Sequence, residues 1–212
     1  MHDLRERWNR LWESIEAHAS PESWFDRLGA LYTEPHRAYH NADHLSACFD
    51  EFERSEYLAK QPFAVEWALW FHDAVYDPQQ EGNEGKSAAL ALEALRDAKT
   101  KAIDPDRVRD LVMATRHDIA HTQGDEALIC DIDLAILGQK KSVYDTYEST
   151  IRKEYAFVEE ETYARERTNV LQSFLARPHL YATAMFRGRY EAPARANLER
   201  AIRQLRHEGA PA

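Results

Sequence analysis

Basic residues are the minority charge in this chain: 27 Lys and Arg stand against 37 Asp and Glu, a formal net charge of -10 with a pI near 5.5. That balance disfavours a nucleic-acid polymer as partner, because nonspecific binding to a phosphate backbone draws on a basic surface that releases counterions. A small anion held in a locally positive pocket stays open. Long apolar runs are also missing. None approaches the roughly 18 to 20 residues that cross a bilayer, and the amino-terminal "MHDLRERWNRLWESIE" is a charged amphipathic pattern without the apolar region of a signal peptide. The expectation is a cytoplasmic chain with no membrane partner. Glycine and proline are scarce, 7 and 8 in 212 residues, beside abundant Ala, Leu, Glu and Arg, which is the usage of a helical globular protein rather than a sheet or a disordered tail. The two cysteines, Cys48 and Cys130, form no CxxC motif and fall within helical patterns, so reduced, buried thiols are expected. No internal repeat or low-complexity linker interrupts the chain. An all-α fold follows, a compact multi-helix bundle forming a single domain over residues 1–212.

Apolar periodicity predicts helices over about 3–18, 22–33, 40–55, 62–75, 84–99, 105–117, 125–138, 140–159, 161–176 and 190–206. "SPES" at 20–23 and "IDPDRV" at 103–108 place a capping side chain before an early helical proline, and "ARPHL" at 176–180 breaks the pattern again. One helix differs from the rest. "PFAVEWALWFHDAV" is apolar around nearly its whole circumference, the mark of a buried helix, with Glu66 almost alone before His72 and Asp73. Leaving either of those two unpaired at the end of a central helix costs on the order of 1 to 3 kcal/mol, and more for a charge.

The stretch "HRAYHNADHL" sets His36, His40 and His44 at four-residue intervals. On a helix, residues four apart share a face, so His40 and His44 are expected to project together; His36 precedes the helix and is expected to face solvent. His72 and Asp73 point about 100° apart, yet near a helix end both can reach one ion. "ICDIDLAILG" at 129–138 adds Asp133 within an apolar stretch, where a buried carboxylate requires a cation. Asp131 and Asp133, two apart on a helix, point to nearly opposite sides, so only one of them joins such a site. Imidazoles and carboxylates together suit a divalent first-row metal.

His44, the pair His72-Asp73 in "FHD" and Asp133 in "DIDL" resemble the four-ligand signature of the HD superfamily of metal-dependent phosphohydrolases. "RAYHNADHL", "LWFHDAVYDP", "NEGKSA", "ATRHD", "DIDLAILG" and "IRKEYAFV" are similar, more closely, to a bacterial group of predicted HD phosphohydrolases. That resemblance runs from about residue 36 to 200. It implies an HD-type helical domain with its metal-site core at about 36–138 and later helices completing the bundle. It also implies one divalent ion (Mn, Mg, Fe, Co, Ni or Zn), or two with Asp73 bridging, and ligands His44, His72, Asp73 and Asp133. The family's ligand usually follows a small or apolar residue, which selects Ile132-Asp133 over Asp131. "YHNADH" is also similar to the YHN-x-x-H segment of cyclic-nucleotide phosphodiesterases, in which the second His binds metal and the first is general acid; carried over, His44 is the ligand and His40 the proton donor. A glutamine signature for base recognition is missing. The implied activity is hydrolysis of a small-molecule or nucleotide phosphoester, by a phosphomonoesterase or phosphodiesterase using a metal-activated water.

Around that core, Glu84 in "NEGKSA" is the candidate for orienting the water, beside the suggested catalytic His40 and Asp73. Arg37, Lys86, Arg116 and His117 are candidate substrate contacts, since cations meet phosphate oxygens. His117 and His121 in "TRHDIAH" form a further i,i+4 pair for a second metal, a phosphate or a solvated face. Tyr144, Tyr147, Arg152, Tyr155 and Arg167 read as core edges and ion pairs, and Glu191 with Arg195 as a stabilising helix pair. Two other classes predict different behaviour. A non-catalytic domain stapled by metal gives metal-dependent stability without turnover. A di-iron oxygenase, disfavoured because that branch uses two extra histidines well separated in sequence, gives two tightly held irons and oxygen consumption.

Overall fold

A computed structural model describes residues 2–208, and among these it contains helices and no strand. In chain order the α-helices are α1 (His2–Ser14), α2 (Glu22–Leu31), α3 (Ala42–Ser55), α4 (Pro62–Phe71), α5 (Asn83–Ala98), α6 (Pro105–Ala114), α7 (Gly124–Asp133), α8 (Lys141–Glu154), α9 (Glu160–Leu175) and α10 (Ala184–Glu208), with short 3-10 turns at Glu56–Leu58 and Leu134–Gly138. The fold is all-α.

α4 lies at the centre because it has no polar face: Ala64, Val65, Trp67, Ala68, Leu69, Trp70 and Phe71 are all buried. It packs against α3, α5, α6 and α7. Trp8 and Trp12 of α1 close its remaining side, with Trp8 ring centroids 5.6 Å from Trp67 and 5.0 Å from Trp70. Burying one such side chain stabilises the fold by roughly 1.5 to 3 kcal/mol. Pro62 starts α4, where its missing N–H has no helical partner to lose. Asp125 of α7, buried, accepts the Lys60 and Gln61 N–H groups ahead of it.

α10 packs against α8, α9 and the second 3-10 turn. Gly138 ends that turn against α10 so closely that a Cβ would come within 2.5 Å of the Tyr190 Cβ and 2.9 Å of its Cα. Glycine is required there by contact with the α10 backbone. Asp131 accepts the Ala182 and Thr183 N–H groups and so caps the start of α10. Glu191 pairs with Arg195 at 2.8 Å and also receives the Leu180 N–H.

Several helix ends differ from the periodic reading. α3 starts at Ala42, not 40, because Asn41 is extended and its side chain accepts the Asp43 and His44 N–H groups as an N-cap. α4 stops at Phe71, α6 at Ala114 and α8 at Glu154, while 125–138 divides into α7 and the 3-10 turn. α10 begins earlier than 190 and continues through Pro193, which lacks the N–H that would bond the carbonyl four residues back. Cys48 and Cys130 are buried free thiols. No helix among the described residues is long and apolar enough to cross a membrane.

Candidate metal centre

Three helix ends meet at one buried point. His44 sits in the first turn of α3, His72 caps the carboxyl end of α4 with Asp73 next in the chain, and Asp133 is the last residue of α7. The His44 Nε2 lies 3.3 Å from the His72 Nε2. Asp133 Oδ1 is 3.2 Å from His44 Nε2 and 3.7 Å from His72 Nε2; Asp73 Oδ2 is 3.4 Å and 3.1 Å from the same two atoms. Asp133 enters this cluster while Asp131, two residues back, turns to α10.

Second contacts aim these donors. The His72 Nδ1 lies 2.8 Å from the Leu69 carbonyl oxygen, an acceptor only, so Nδ1 carries the proton and Nε2 faces the cluster. His117 Nε2 is 2.7 Å from Asp133 Oδ2, which leaves Oδ1 for His44 and His72. His117 holds a left-handed backbone at φ 57, and Arg177 donates to its carbonyl. His117 and His121 both lie beyond the end of α6 at Ala114, so no helix holds them on one face.

Burial and neighbouring charge set the electrostatics of the cluster. Burial works against the Asp133 carboxylate, yet His117, His44 and His72 hold its pKa well below the usual range. Burial likewise opposes Asp73, and His72 and His44 hold it low. Burial opposes the charged His72 ring while Asp73 and Asp133 raise its pKa; for His44, burial is outweighed by Cys48, Tyr39 and the two carboxylates. Two ionised carboxylates thus face two imidazoles in a buried space. The donors of His44, Cys48, His72 and Asp133 all lie within 4.8 Å of one another. Imidazole, carboxylate and thiol are ligands for a divalent transition ion, so these residues fit one.

The chain matches no protein-family model, no curated protein and no solved structure. The site's chemistry is accordingly read from its own residues.

A cavity of about 750 Å³ reaches the cluster, with His44, Cys48 and Asp133 in its wall beside Tyr39, Tyr147 and Gln139. Tyr147 is held by Arg167, which also grips Glu148 at 2.7 Å. His40 and Asp73 do not line this cavity, although their side chains keep 21% and 19% of their surface exposed. His40 is not on the α3 face with His44, as the helical spacing suggests; it lies in the turn before Asn41. Its ring centroid is still 5.9 Å from that of His44.

The partner of His40 is Glu154, at the end of α8. Its Oε2 lies 2.7 Å from His40 Nδ1 and accepts the Tyr76 hydroxyl at 2.8 Å, while Oε1 accepts the Tyr39 and His40 N–H groups. Burial disfavours the Glu154 carboxylate, but the His40 ring and the two backbone N–H groups outweigh burial and hold its pKa at about 2. Tyr76 stacks on the His40 ring at 4.2 Å. No local pattern marks Glu154, which lies 114 residues from His40. Cys48, marked by the sequence as a buried thiol, lies one turn beyond His44 on α3.

The expected substrate contacts fall elsewhere. Arg37 has a fully buried side chain whose donors are occupied by Glu34 and the carbonyls of His40, Asp73 and Ala74. It is a clamp between the two ligand-bearing segments, and burial removes it from substrate. Lys86 is exposed and Glu84 half-buried in the first turn of α5; neither is hydrogen-bonded to the cluster. Arg116 is exposed and pairs with Asp118 at 3.2 Å, because the chain leaves α6 before it. His117 contacts Asp133 rather than open cavity. His36 is exposed, with its Nε2 on the Tyr76 carbonyl.

Proposed function

We propose that the chain is a metal-dependent phosphohydrolase of the HD type, acting on a small-molecule or nucleotide phosphoester. The observation that carries this reading is the convergence of His44, His72, Asp73 and Asp133 within 3.1 to 3.7 Å, with a carboxylate-oriented His40 beside them. These four residues would hold a divalent ion, which would supply Lewis-acid charge and lower the pKa of a bound water.

The chain's own residues do the rest. His117 fixes which Asp133 oxygen faces the imidazoles, and Leu69 fixes the His72 tautomer. Glu154 holds the His40 Nδ1 proton, so Nε2 is the nitrogen that delivers a proton to the departing ester oxygen. Tyr76 stacks on the His40 ring, and Arg37 ties the His40 and Asp73 backbones together. Glu154 and His40 thus form a carboxylate-imidazole pair of the kind that orients a proton donor.

The test is a phosphoester screen of metal-loaded wild type and His40→Ala. The proposal expects turnover in wild type, and metal retained with turnover lost in His40→Ala. Full activity in His40→Ala removes the proton-donor role. Metal-dependent stability with no turnover on any phosphoester favours the metal-stapled binding domain instead.

A further inference from the structure

The His44-Cys48 spacing places a thiol in the wall of the proposed centre. Both residues are buried on one face of α3, one helical turn apart. The Cys48 Sγ lies 3.7 Å from the His44 Nε2 and 3.8 Å from its Nδ1, and His72 and Asp133 complete a group of four donors.

The donor types discriminate between ions better than their separations do. A tetrahedral zinc-class ion, with metal–nitrogen distances of about 2.0 to 2.1 Å and a metal–sulfur distance of about 2.3 Å, sets neighbouring nitrogens about 3.3 to 3.4 Å apart and nitrogen from sulfur about 3.5 to 3.6 Å. An octahedral magnesium at about 2.1 Å sets its neighbours about 3.0 Å apart. The observed edges are 3.3 Å for nitrogen to nitrogen and 3.7 Å for nitrogen to sulfur, with 3.2 Å from His44 to the Asp133 oxygen. The remaining edges, 3.1 and 3.4 Å from Asp73 to the two imidazoles and 3.7 Å from His72 to Asp133, span both spacings, so ligand type rather than distance decides. Thiolate ligands select soft or borderline ions over magnesium.

We infer that Cys48 is a direct ligand, so that His44, Cys48, His72 and Asp133 hold a thiophilic divalent ion of the zinc, cobalt or ferrous class. The inference rests on the metal-centre reading of the same cluster. On binding, the sulfur–metal bond forms as the Cys48 thiol proton leaves to solvent, with no change of oxidation state. Cys48 then takes the place that Asp73 holds in the four-ligand reading above, and Asp73, within 3.4 Å of both imidazole nitrogens, is left to orient the water.

Cobalt(II) titration of stripped protein tests this by absorption rather than by activity. Wild type should bind cobalt with intense visible bands and a near-ultraviolet thiolate-to-cobalt charge-transfer band. Cys48→Ser and Cys48→Ala should lose that band and weaken zinc binding by about tenfold or more, while Cys130→Ala retains both. The two substitutions at position 48 separate loss of the ligand from loss of packing, and circular dichroism checks the helices. Cobalt bound in wild type and lost in His72→Ala, but without charge transfer, overturns the Cys48 assignment and leaves the metal centre standing. No cobalt bound to wild type overturns the centre and Cys48 together.

Discussion

Replacing Arg37 with lysine tests whether this residue clamps the site or contacts substrate. Its guanidinium makes four contacts: Nε to Glu34 at 2.9 Å, and bonds to the carbonyls of His40 at 3.0 Å, Asp73 at 2.6 Å and Ala74 at 2.9 Å. A hydrogen bond from a charged donor contributes about 1.5 to 3 kcal/mol net. Lysine carries a point charge on a differently shaped stem and restores only part of the fork. The expected loss is about 3 kcal/mol, or roughly 6 to 12 °C in Tm for a chain of this size. Freeing the His40 and Asp73 segments should also weaken metal binding about tenfold. Thermal unfolding and zinc titration of Arg37→Lys measure both. A Tm within about 1 °C of wild type with unchanged metal affinity would refute the clamp.

Glu154→Gln probes the His40 pair through pH. The folded carboxylate has a pKa of about 2 against an ordinary 4.5, so its contribution is fully present above pH 4.5 and is lost as pH falls toward 2. That depression corresponds to about 3 kcal/mol, which partial solvent screening brings nearer to about 2 kcal/mol. The stability gap between wild type and variant should therefore be wide at neutral pH and narrow in acid, and a gap independent of pH contradicts the assignment. His117→Asn keeps a side chain that tolerates φ 57 but loses the bond to Asp133; metal affinity should fall about 10- to 100-fold with little change in Tm, and unchanged affinity would remove His117 from the site.

Much of this architecture is legible in the residues themselves. The all-round apolar pattern of 62–75 marks the central helix, and the period of two separations between Asp131 and Asp133 sends one to cap α10 and the other to the cluster. Local capping and backbone chemistry accounts for two differences. Asn41 is an N-cap signal that starts α3 after His40, and His117 lies beyond the end of α6 in a left-handed conformation. Glu154 and Arg37 are a different case. Their roles depend on contacts made across the fold, 114 residues from Glu154 to His40 and 36 from Arg37 to Asp73, and no periodicity carries such pairings. A cationic side chain near histidines looks alike in sequence whether it is buried against carbonyls or open to an anion.

The central claim is that the cluster holds a divalent ion. Elemental analysis of wild type, His72→Ala, Asp133→Ala and Asp131→Ala, after loading with zinc, manganese or iron, tests it most directly. The account predicts near-stoichiometric metal in wild type and in Asp131→Ala, whose carboxylate caps α10, and its loss in the other two. Equal, negligible metal in all four proteins would mean that His44, His72, Asp73 and Asp133 are a polar core satisfied by its own protons.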